Sequence, residues 1–174
     1  MITIIAGTNR PNSKSRVIAD HYADLLRARQ VENAILDLAD LPIDFIGTAL
    51  YANSGANEVF NQVAAAIEHS QKFVFIVPEY NGSFPGVLKA FIDGLAYPLS
   101  FRHKKAALVG LSTGSQGGVL AISHLTDIFN YLGMHVLARK VRLPYLEKNL
   151  SVKTLTNPEY QRLLEDQVEL FLKF

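Results

Sequence analysis

The stretch from Phe73 to Leu95, FVFIVPEYNGSFPGVLKAFIDGL, constrains the fold of this chain more than any other segment. Its first six residues are apolar and rich in β-branched and aromatic types, which is typical of a strand buried on both faces. Proline, asparagine and glycine then cluster between Pro78 and Gly86, and neither a strand nor a helix continues through such a cluster. Beyond Pro85 the apolar residues recur at helical spacing. The stretch therefore predicts a strand, a polar loop and a helix.

Two other stretches repeat this order. Residues 2–6 form a continuous apolar run, and a loop rich in hydroxyls and amides at residues 8–15 separates it from a helical pattern. Residues 106–111 form another such run, which is followed by the glycine-rich loop STGSQGG. Shorter apolar runs and helical spacing predict the remaining elements, namely strands at residues 34–38 and 134–137 and helices at residues 58–70 and 160–171.

Five strands that alternate with helices predict an α/β fold in one domain, residues 1–174, with a parallel sheet and helices on both faces. In such sheets, ligands bind in the crevice outside the carboxyl ends of the strands, where the three polar loops are expected to meet. The irregular connection at residues 41–57 carries Phe45 and Tyr51. We expect both rings to pack beneath this connection, with cover for the ligand crevice or for a subunit interface as alternatives.

The first loop has the chemistry of a phosphate site. A helix N-terminus presents unpaired N–H groups and the positive end of the helix dipole. Arg10 adds a positive charge, and Thr8, Ser13 and Ser15 add hydroxyl donors. The alternative is that Asn12 or Ser13 only caps the helix and that Arg10 is a solvated surface residue.

The loop after residue 111 is suited to a flat polar ligand. Gly114, Gly117 and Gly118 permit positive φ angles and a close approach of backbone to ligand. Hydrogen-bonding groups come from Ser112, Thr113, Ser115 and Gln116. The alternative is a glycine-rich turn with a helix cap.

Composition excludes several classes of function. The chain has no cysteine, which removes disulfides, thiolate nucleophiles, cysteine-ligated zinc and iron–sulfur clusters, so redox chemistry requires a bound cofactor. The net charge of +1, without a basic block, argues against a nucleic-acid partner. The first apolar run is too short for a signal peptide or a membrane span, so we expect a cytoplasmic protein with no membrane partner. The histidines are scattered, and no metal site is predicted.

Two loops carry a family resemblance. The second loop and its helix resemble the P-E-Y-N-x-S-x-P-G-x-L-K-x-x-I-D signature of the NADPH-dependent FMN reductase family, a flavodoxin-like group that includes quinone, azo-dye and chromate reductases. The matching residues are Pro78, Glu79, Tyr80, Asn81, Ser83, Pro85, Gly86, Leu88, Lys89, Ile92 and Asp93. GTNRPNSKS resembles the family's amino-terminal G-S-x-R-x-x-S-x-N pattern, with Ser15 in place of its asparagine. Gly94 departs from many relatives, which have tryptophan there.

The resemblance implies a flavodoxin-like three-layer sandwich with strand order 2-1-3-4-5 and a bound FMN. It implies that the phosphate is held by Thr8, Arg10, Ser13 and Ser15. The isoalloxazine ring would lie between two groups of residues, Pro78, Glu79, Tyr80, Asn81 and Ser83 on one side and Ser112, Thr113, Gly114, Ser115, Gln116 and Gly117 on the other. No side chain is assigned a catalytic role, because flavin N5 carries the hydride.

The reductant is expected to be NADPH or NADH. The sequence lacks the G-x-G-x-x-G dinucleotide fingerprint, which favours a nicotinamide that visits the open flavin face and leaves in a ping-pong cycle. Arg10, Arg16 and Arg102 are candidates for choosing between the two nucleotides. The expected partners are a small-molecule electron acceptor, such as a quinone, azo compound, chromate or free flavin, and further copies of the chain in a homodimer or homotetramer.

Three other kinds of protein share features with a reductase of this type. A flavodoxin-type electron carrier is usually strongly acidic, and the charge of +1 argues against it. A response-regulator receiver needs acidic residues after its first strand, where this chain has Gly7. A flavin-binding protein without catalysis remains open.

Overall fold

A computed structural model describes residues 1–97 and 99–174 of the chain. The helices are α1 Lys14–Arg27, α2 Phe45–Ala49, α3 Glu58–His69, α4 Gly86–Gly94, α5 Val119–Tyr131 and α6 Pro158–Lys173. The strands are β1 Ile2–Ala6, β2 Asn33–Asp37, β3 Lys72–Pro78, β4 Lys105–Leu111, β5 His135–Val136, β6 Val141–Leu143, β7 Leu150–Ser151 and β8 Thr154–Leu155. Each of the three long apolar runs is thus a strand that leads through a loop into a helix.

The main sheet is parallel and has the order β2-β1-β3-β4-β5, which confirms the flavodoxin-like prediction. β3 pairs with β1 on one side and with β4 on the other, over its whole length from Lys72 to Pro78 on the β4 side. The carboxyl ends of β1, β3 and β4 are therefore neighbours. This is the arrangement that brings their three loops to one crevice.

The helices cover both faces of the sheet, so its central strands are buried on each side. Phe73 and Phe75 belong to a core that includes residues of α3, α4 and α5. Val74 and Ile76, which alternate with them, belong to a second core that includes residues of α1 and α6. Alternation along one continuous apolar strand therefore supplies both cores.

The fifth strand differs from its prediction at residues 134–137. Only His135 and Val136 pair with β4 there, and β6 takes the same side of β4 further along, opposite Val109–Leu111. Between these two pairings, Gln167 of α6 donates through Nε2 to the main-chain oxygens of Leu108 at 3.0 Å and Arg139 at 2.9 Å. A buried side chain thus bonds to the strand where the sheet is interrupted.

The connection between β2 and α3 contains α2, a helix that the sequence did not predict. Phe45 is buried and stacks on Phe60 with ring centroids 5.6 Å apart, which confirms the packing expected for it. Tyr51 is 80% exposed and does not pack beneath the connection, so that expectation was wrong. Its positive φ of 56°, in a short 3-10 turn, accompanies this outward placement.

Phe60 also occupies the space beside Gly94. A Cβ atom built on Gly94 would lie 2.5 Å from Cζ of Phe60 and 2.9 Å from Cδ1 of Leu50. Glycine at this position is therefore matched to the phenylalanine that packs against it.

No helix in the described part of the chain is long and apolar enough to cross a membrane.

Candidate active site

The three polar loops border a single open cavity of about 580 Å³ at the carboxyl ends of the strands. The first loop contributes Thr8, Arg10, Pro11, Asn12, Ser13, Lys14 and Ser15; the second Pro78, Glu79, Tyr80 and Asn81; the third Leu111, Ser112 and Thr113. Leu146 and Glu147, from the turn after β6, complete the lining. Predicted residues from all three loops are thus brought together by the strand order.

One end of the cavity is the N-terminus of α1. Ser13 has an extended backbone, and its Oγ accepts a hydrogen bond from the N–H of Arg16 at 3.1 Å, so it is the helix cap. Ser15 is only 2% exposed, and its Oγ has no hydrogen-bond partner among the described residues. A buried hydroxyl without a partner is costly, which suits a position that a ligand satisfies.

The first two loops are joined by a contact between side chains. Oγ1 of Thr8 lies 2.9 Å from the hydroxyl oxygen of Tyr80. The same oxygen of Thr8 accepts from the N–H of Arg10 at 3.3 Å. The Thr8 hydroxyl therefore shapes the loop and anchors Tyr80 in addition to facing the cavity.

The second loop is a tight turn at its tip. Tyr80 and Ser83 exchange two main-chain hydrogen bonds, at 2.8 and 3.1 Å. Asn81 and Gly82 between them have φ angles of 51° and 77°, as in the Asn-Gly turns of β-hairpins. Ser83 lies outside the cavity lining among the described residues, and its Oγ is 2.9 Å from Nδ1 of His124 on α5. The turn thus presents Tyr80 and Asn81 to the cavity, while Ser83 ties it to the adjacent helix.

Glu79 is held where the second and third loops meet. Its main-chain N–H donates to the carbonyl oxygen of Leu111 at 2.9 Å, which continues the pairing of β3 with β4. Its Oε2 is buried without a partner among the described residues. This carboxylate oxygen is a second polar atom at the cavity that the protein leaves unsatisfied.

The third loop divides into two parts. Ser112 and Thr113 line the cavity, and Oγ of Ser112 accepts from the N–H of Gly117 at 2.8 Å. Gly117 and Gly118 have the positive φ angles that their sequence predicted, 60° and 75°. Their close approach is to protein, because a Cβ on Gly117 would lie 2.9 Å from Cβ of Arg142, and one on Gly118 would lie 2.8 Å from N of Leu111.

Four predicted residues of this loop, Gly114, Ser115, Gln116 and Gly117, are outside the cavity lining in the described structure. Gly117 is buried against β6, whereas Gly114, Ser115 and Gln116 are exposed. Gly114 does not have a positive φ angle. A contact between these residues and a ligand stays a prediction.

Only one of the three arginines proposed to select the nucleotide lines the cavity. Arg10 does so. Arg16 instead pairs with Asp20 at 3.0 Å and Asp37 at 3.4 Å, and the hydrogen bond that it donates to Asp20 is the main cause of its raised pKa. Arg102 precedes β4 and packs on Gly133, at the opposite end of the strands, so its placement at the cavity mouth was wrong.

The sequence did not single out several lining residues, namely Pro11, Lys14, Leu111, Leu146 and Glu147. The first three adjoin predicted loop residues, so proximity along the chain could have found them. Leu146 and Glu147 come from a segment to which the sequence assigned no structure. They reach the cavity because the N–H of Leu146 donates to the carbonyl of Ser112 at 3.0 Å.

The cavity favours binding of an anionic, polar ligand over chemistry by its own side chains. Neither histidine nor cysteine is among the described residues that line it. Within residues 1–97 and 99–174, no three His, Cys, Asp or Glu side chains are placed to share a metal ion. Lys89 and Asp93 of the family signature form an ion pair on α4, at 2.7 Å. The unpartnered Oγ of Ser15 beside the N-terminus of α1 is chemistry that suits a phosphate.

The sheet order and the position of this cavity define a flavodoxin-like α/β protein. The model of the NADPH-dependent FMN reductase family matches residues 1–145. The chain therefore belongs to that family.

Relatives of known description agree with this assignment. The chain is 34% identical over 116 residues to a 2-hydroxy-1,4-benzoquinone reductase of Burkholderia sp., covering 60% of this chain and 63% of that protein. It is 33% identical over 135 residues to an NAD(P)H:quinone oxidoreductase of Solanum tuberosum, covering 76% of this chain and 69% of that protein. The chain thus spans between 63% and 69% of the length of these two relatives.

Solved structures share the fold over nearly the whole chain. The flavoenzyme NAD(P)H:(acceptor) oxidoreductase FerB of Paracoccus denitrificans is 26% identical, with a TM-score of 0.77 over 99% of this chain and 94% of that one. The apo form of the NADH:FMN oxidoreductase EMOB is 21% identical, with a TM-score of 0.80 over 99% of this chain and 89% of that one. The second likeness concerns the fold alone.

Proposed function

We propose that this chain is an NAD(P)H-dependent flavin oxidoreductase that binds FMN and reduces small acceptors such as quinones, azo compounds, chromate or free flavin. The observation that carries the proposal is the buried, unpartnered Oγ of Ser15 at the N-terminus of α1, in the same cavity as the Tyr80–Asn81 turn. The names of the quinone reductase relatives support the same class of reaction.

The first loop would hold the phosphate of FMN. The N-terminus of α1 offers N–H donors and a positive dipole, and its first turn contains no acidic residue. Arg10 adds a guanidinium, and Ser15 adds a donor that the protein leaves free. Ser13 and Thr8 also shape this site, because their hydroxyl oxygens accept main-chain hydrogen bonds. Accepting a bond does not use the O–H of a hydroxyl, so both remain assigned to the phosphate as donors.

The other two loops would hold the flavin ring. Pro78, Tyr80 and Asn81 lie on one side, and Ser112 and Thr113 on the other. Tyr80 is held in place through Thr8, and the turn that carries it is closed by its own hydrogen bonds. The ring is thereby positioned by rigid elements rather than by long mobile side chains.

FMN, when bound, accepts and donates a hydride at N5. The role of the protein in this chemistry is to orient the ring and to place hydrogen-bond donors near N1 and O2, where negative charge develops. Within residues 80–83 and 114–117, the N–H groups of Tyr80, Ser83 and Gly117 already donate to the chain. We therefore assign this part to main-chain N–H groups of Asn81 and Gly82 or of residues 114–116.

The open side of the cavity would admit the nicotinamide and the acceptor in turn, as in a ping-pong cycle. Of the three arginines expected to choose between NADPH and NADH, only Arg10 lines the cavity, and it is already assigned to the FMN phosphate; Arg16 is occupied by two carboxylates. Assembly into a homodimer or homotetramer stays a prediction.

The test is a visible spectrum of the protein after FMN has been added and the excess removed, followed by NADPH or NADH without oxygen. A retained flavin spectrum that bleaches quickly with either nucleotide is the expected result. Retained flavin that neither nucleotide reduces would point to an electron carrier. If no flavin is retained, steady-state reduction of free FMN separates a passing substrate from a wrong assignment of the cavity.

A further inference from the structure

One wall of the cavity comes from beyond the residues that the family model matches. That match ends at residue 145, and Leu146 and Glu147 follow it directly. The N–H of Tyr145 donates to the carbonyl of Gly114 at 2.9 Å, and the N–H of Leu146 donates to that of Ser112 at 3.0 Å. These bonds fix the position of Glu147 at the cavity.

Tyr145 adopts a strained conformation to make this connection. Its φ and ψ angles are 47° and 38°, in the left-handed region that a bulky side chain seldom occupies. The 3-10 turn Leu146–Asn149 starts from it. The placement of Glu147 is therefore specified by the main chain.

Glu147 reaches across to the phosphate end of the cavity. Its Oε1 lies 3.2 Å from Nζ of Lys14, with the two side chains 59% and 43% exposed. Lys14 is the first residue of α1 and stands between Ser13 and Ser15, which are both buried in the cavity wall. The carboxylate is thus held beside the helix N-terminus, where an anionic ligand would lie.

A phosphate monoester and Glu147 would compete for the same ammonium group. The phosphate carries roughly −1.5 to −2 charges at neutral pH, against −1 for the carboxylate. The ion pair is solvent-exposed, so little stability is lost when it breaks. Lys14 is expected to turn toward the phosphate, while the carboxylate of Glu147, whose main chain is held at the cavity, repels it.

We propose that Glu147 is an internal competitor of the ligand's phosphate for Lys14, and that it sets how readily a flavin mononucleotide leaves the cavity. When the flavin mononucleotide binds, Lys14 leaves the carboxylate of Glu147 and pairs with the phosphate. This inference rests on the proposed FMN site and concerns the strength of binding there.

The test is to measure the binding of FMN and of riboflavin, which lacks the phosphate, by quenching of flavin fluorescence. Four proteins are compared: wild type, Glu147→Gln, Lys14→Met and the double variant. Glu147→Gln should tighten FMN binding about three- to tenfold and change riboflavin binding less than about twofold. Lys14→Met should weaken FMN binding, and the gain from Glu147→Gln should shrink in its presence. Glu32→Gln is the matched control, because it removes the same charge from an exposed position before β2, at the opposite edge of the sheet.

Unchanged or weaker FMN binding by Glu147→Gln would overturn the inference, as would an equal gain for riboflavin or for the Glu32→Gln control. An undiminished gain in the double variant would overturn the role of Lys14. If wild type binds neither flavin, the proposed function fails, and the inference fails with it. If wild type binds FMN and the variant does not differ, the inference alone fails.

Discussion

The helix ends at the amino edge of the main sheet, where its strands begin, differ from the α1 end at the carboxyl edge, where its strands end, in whether the chain itself satisfies them. At the amino ends of the strands, Lys104 donates to the carbonyls of Ile67 and Glu68, each at 2.8 Å, at the C-terminal end of α3. Lys72 and Lys105 donate in the same way to carbonyls at the end of the chain, around the end of α6. At the carboxyl ends, buried oxygens of Ser15 and Glu79 have no partner among the described residues.

The direction of the helices explains this contrast. Each helix runs antiparallel to the strand it follows, so its partly negative C-terminal end lies at the amino edge and its partly positive N-terminal end at the carboxyl edge. Lysines supplied by the chain satisfy the negative ends of α3 and α6. The positive end of α1 remains available to an anion from outside. One edge therefore contributes stability, and the other contributes binding.

Replacing the buried Lys104 is expected to have the largest effect on stability and so to test this division most strongly. We expect Lys104→Met to lower the free energy of unfolding by about 1–3 kcal/mol, because the carbonyls at the end of α3 lose their donor. Lys104 is only 6% exposed, so water does not readily replace it. Urea unfolding measures the loss, and the Kd for FMN should be unchanged.

Lys173→Met, at an exposed position of α6, is the matched control and should have little effect. A Lys104→Met protein as stable as wild type, or one that loses flavin affinity together with stability, would remove the distinction between the two edges.

A smaller effect is expected from replacing the two serines at the start of α1, which should differ in their contributions to stability and to binding. We expect Ser15→Ala to leave the free energy of unfolding unchanged or slightly higher, because its Oγ has no partner in the described structure. The same change should weaken FMN binding about tenfold, since it removes a hydrogen bond to a charged phosphate. Riboflavin binding should not change. Fluorescence titration and urea unfolding give the two quantities.

Ser13→Ala is the comparison for this prediction, because Ser13 caps the same helix. It should lower the free energy of unfolding by about 1 kcal/mol. Equal losses of stability in the two serine variants would mean that Ser15 is structural and would blur the contrast between the edges.

The smallest effect is a pH dependence at the amino edge. Burial lowers the pKa of Lys104 below its ordinary value of 10.5. The unfolded chain then binds more protons than the folded one between the two pKa values, so the contribution of Lys104 to stability rises with pH across that window. The difference in unfolding free energy between wild type and Lys104→Met should therefore grow from neutral pH to about pH 10.5. With Lys173→Met the difference should stay flat, and a shrinking gap for Lys104→Met would contradict the sign.

Long apolar runs predicted most of the fold, because burial on both faces leaves a strong local signal. β1, β3 and β4 were predicted within a residue of their observed bounds. β6 was missed because its three residues are a strand only through pairing with β4. The hairpin of β7 and β8 was missed for the same reason, since each of its strands has two residues. The pairing of β6 with β4 joins distant parts of the chain, whereas β7 and β8 are neighbouring hairpin strands that are too short to leave a pattern.

Residues of the candidate site could likewise be predicted only where a local pattern in the sequence indicated them. Loop residues that adjoin strong strands, such as Arg10, Ser15 and Tyr80, were brought to the cavity as their order predicted. Gly117 was predicted for its φ angle, but its packing against Arg142 depends on β6 and could not be foreseen. Glu147 depends on hydrogen bonds from its neighbours to the third loop, so no pattern in its own segment indicated it.

The fit of Phe60 against Gly94 has a consequence for the ancestry of the chain. A side chain at position 94 would collide with the phenylalanine ring, at 2.5 Å from its Cζ. A mutational path that leads from this sequence to one with tryptophan at that position must therefore first reduce or displace Phe60. Positions 60 and 94 are therefore coupled, and a larger residue at 94 requires a smaller or displaced side chain at 60.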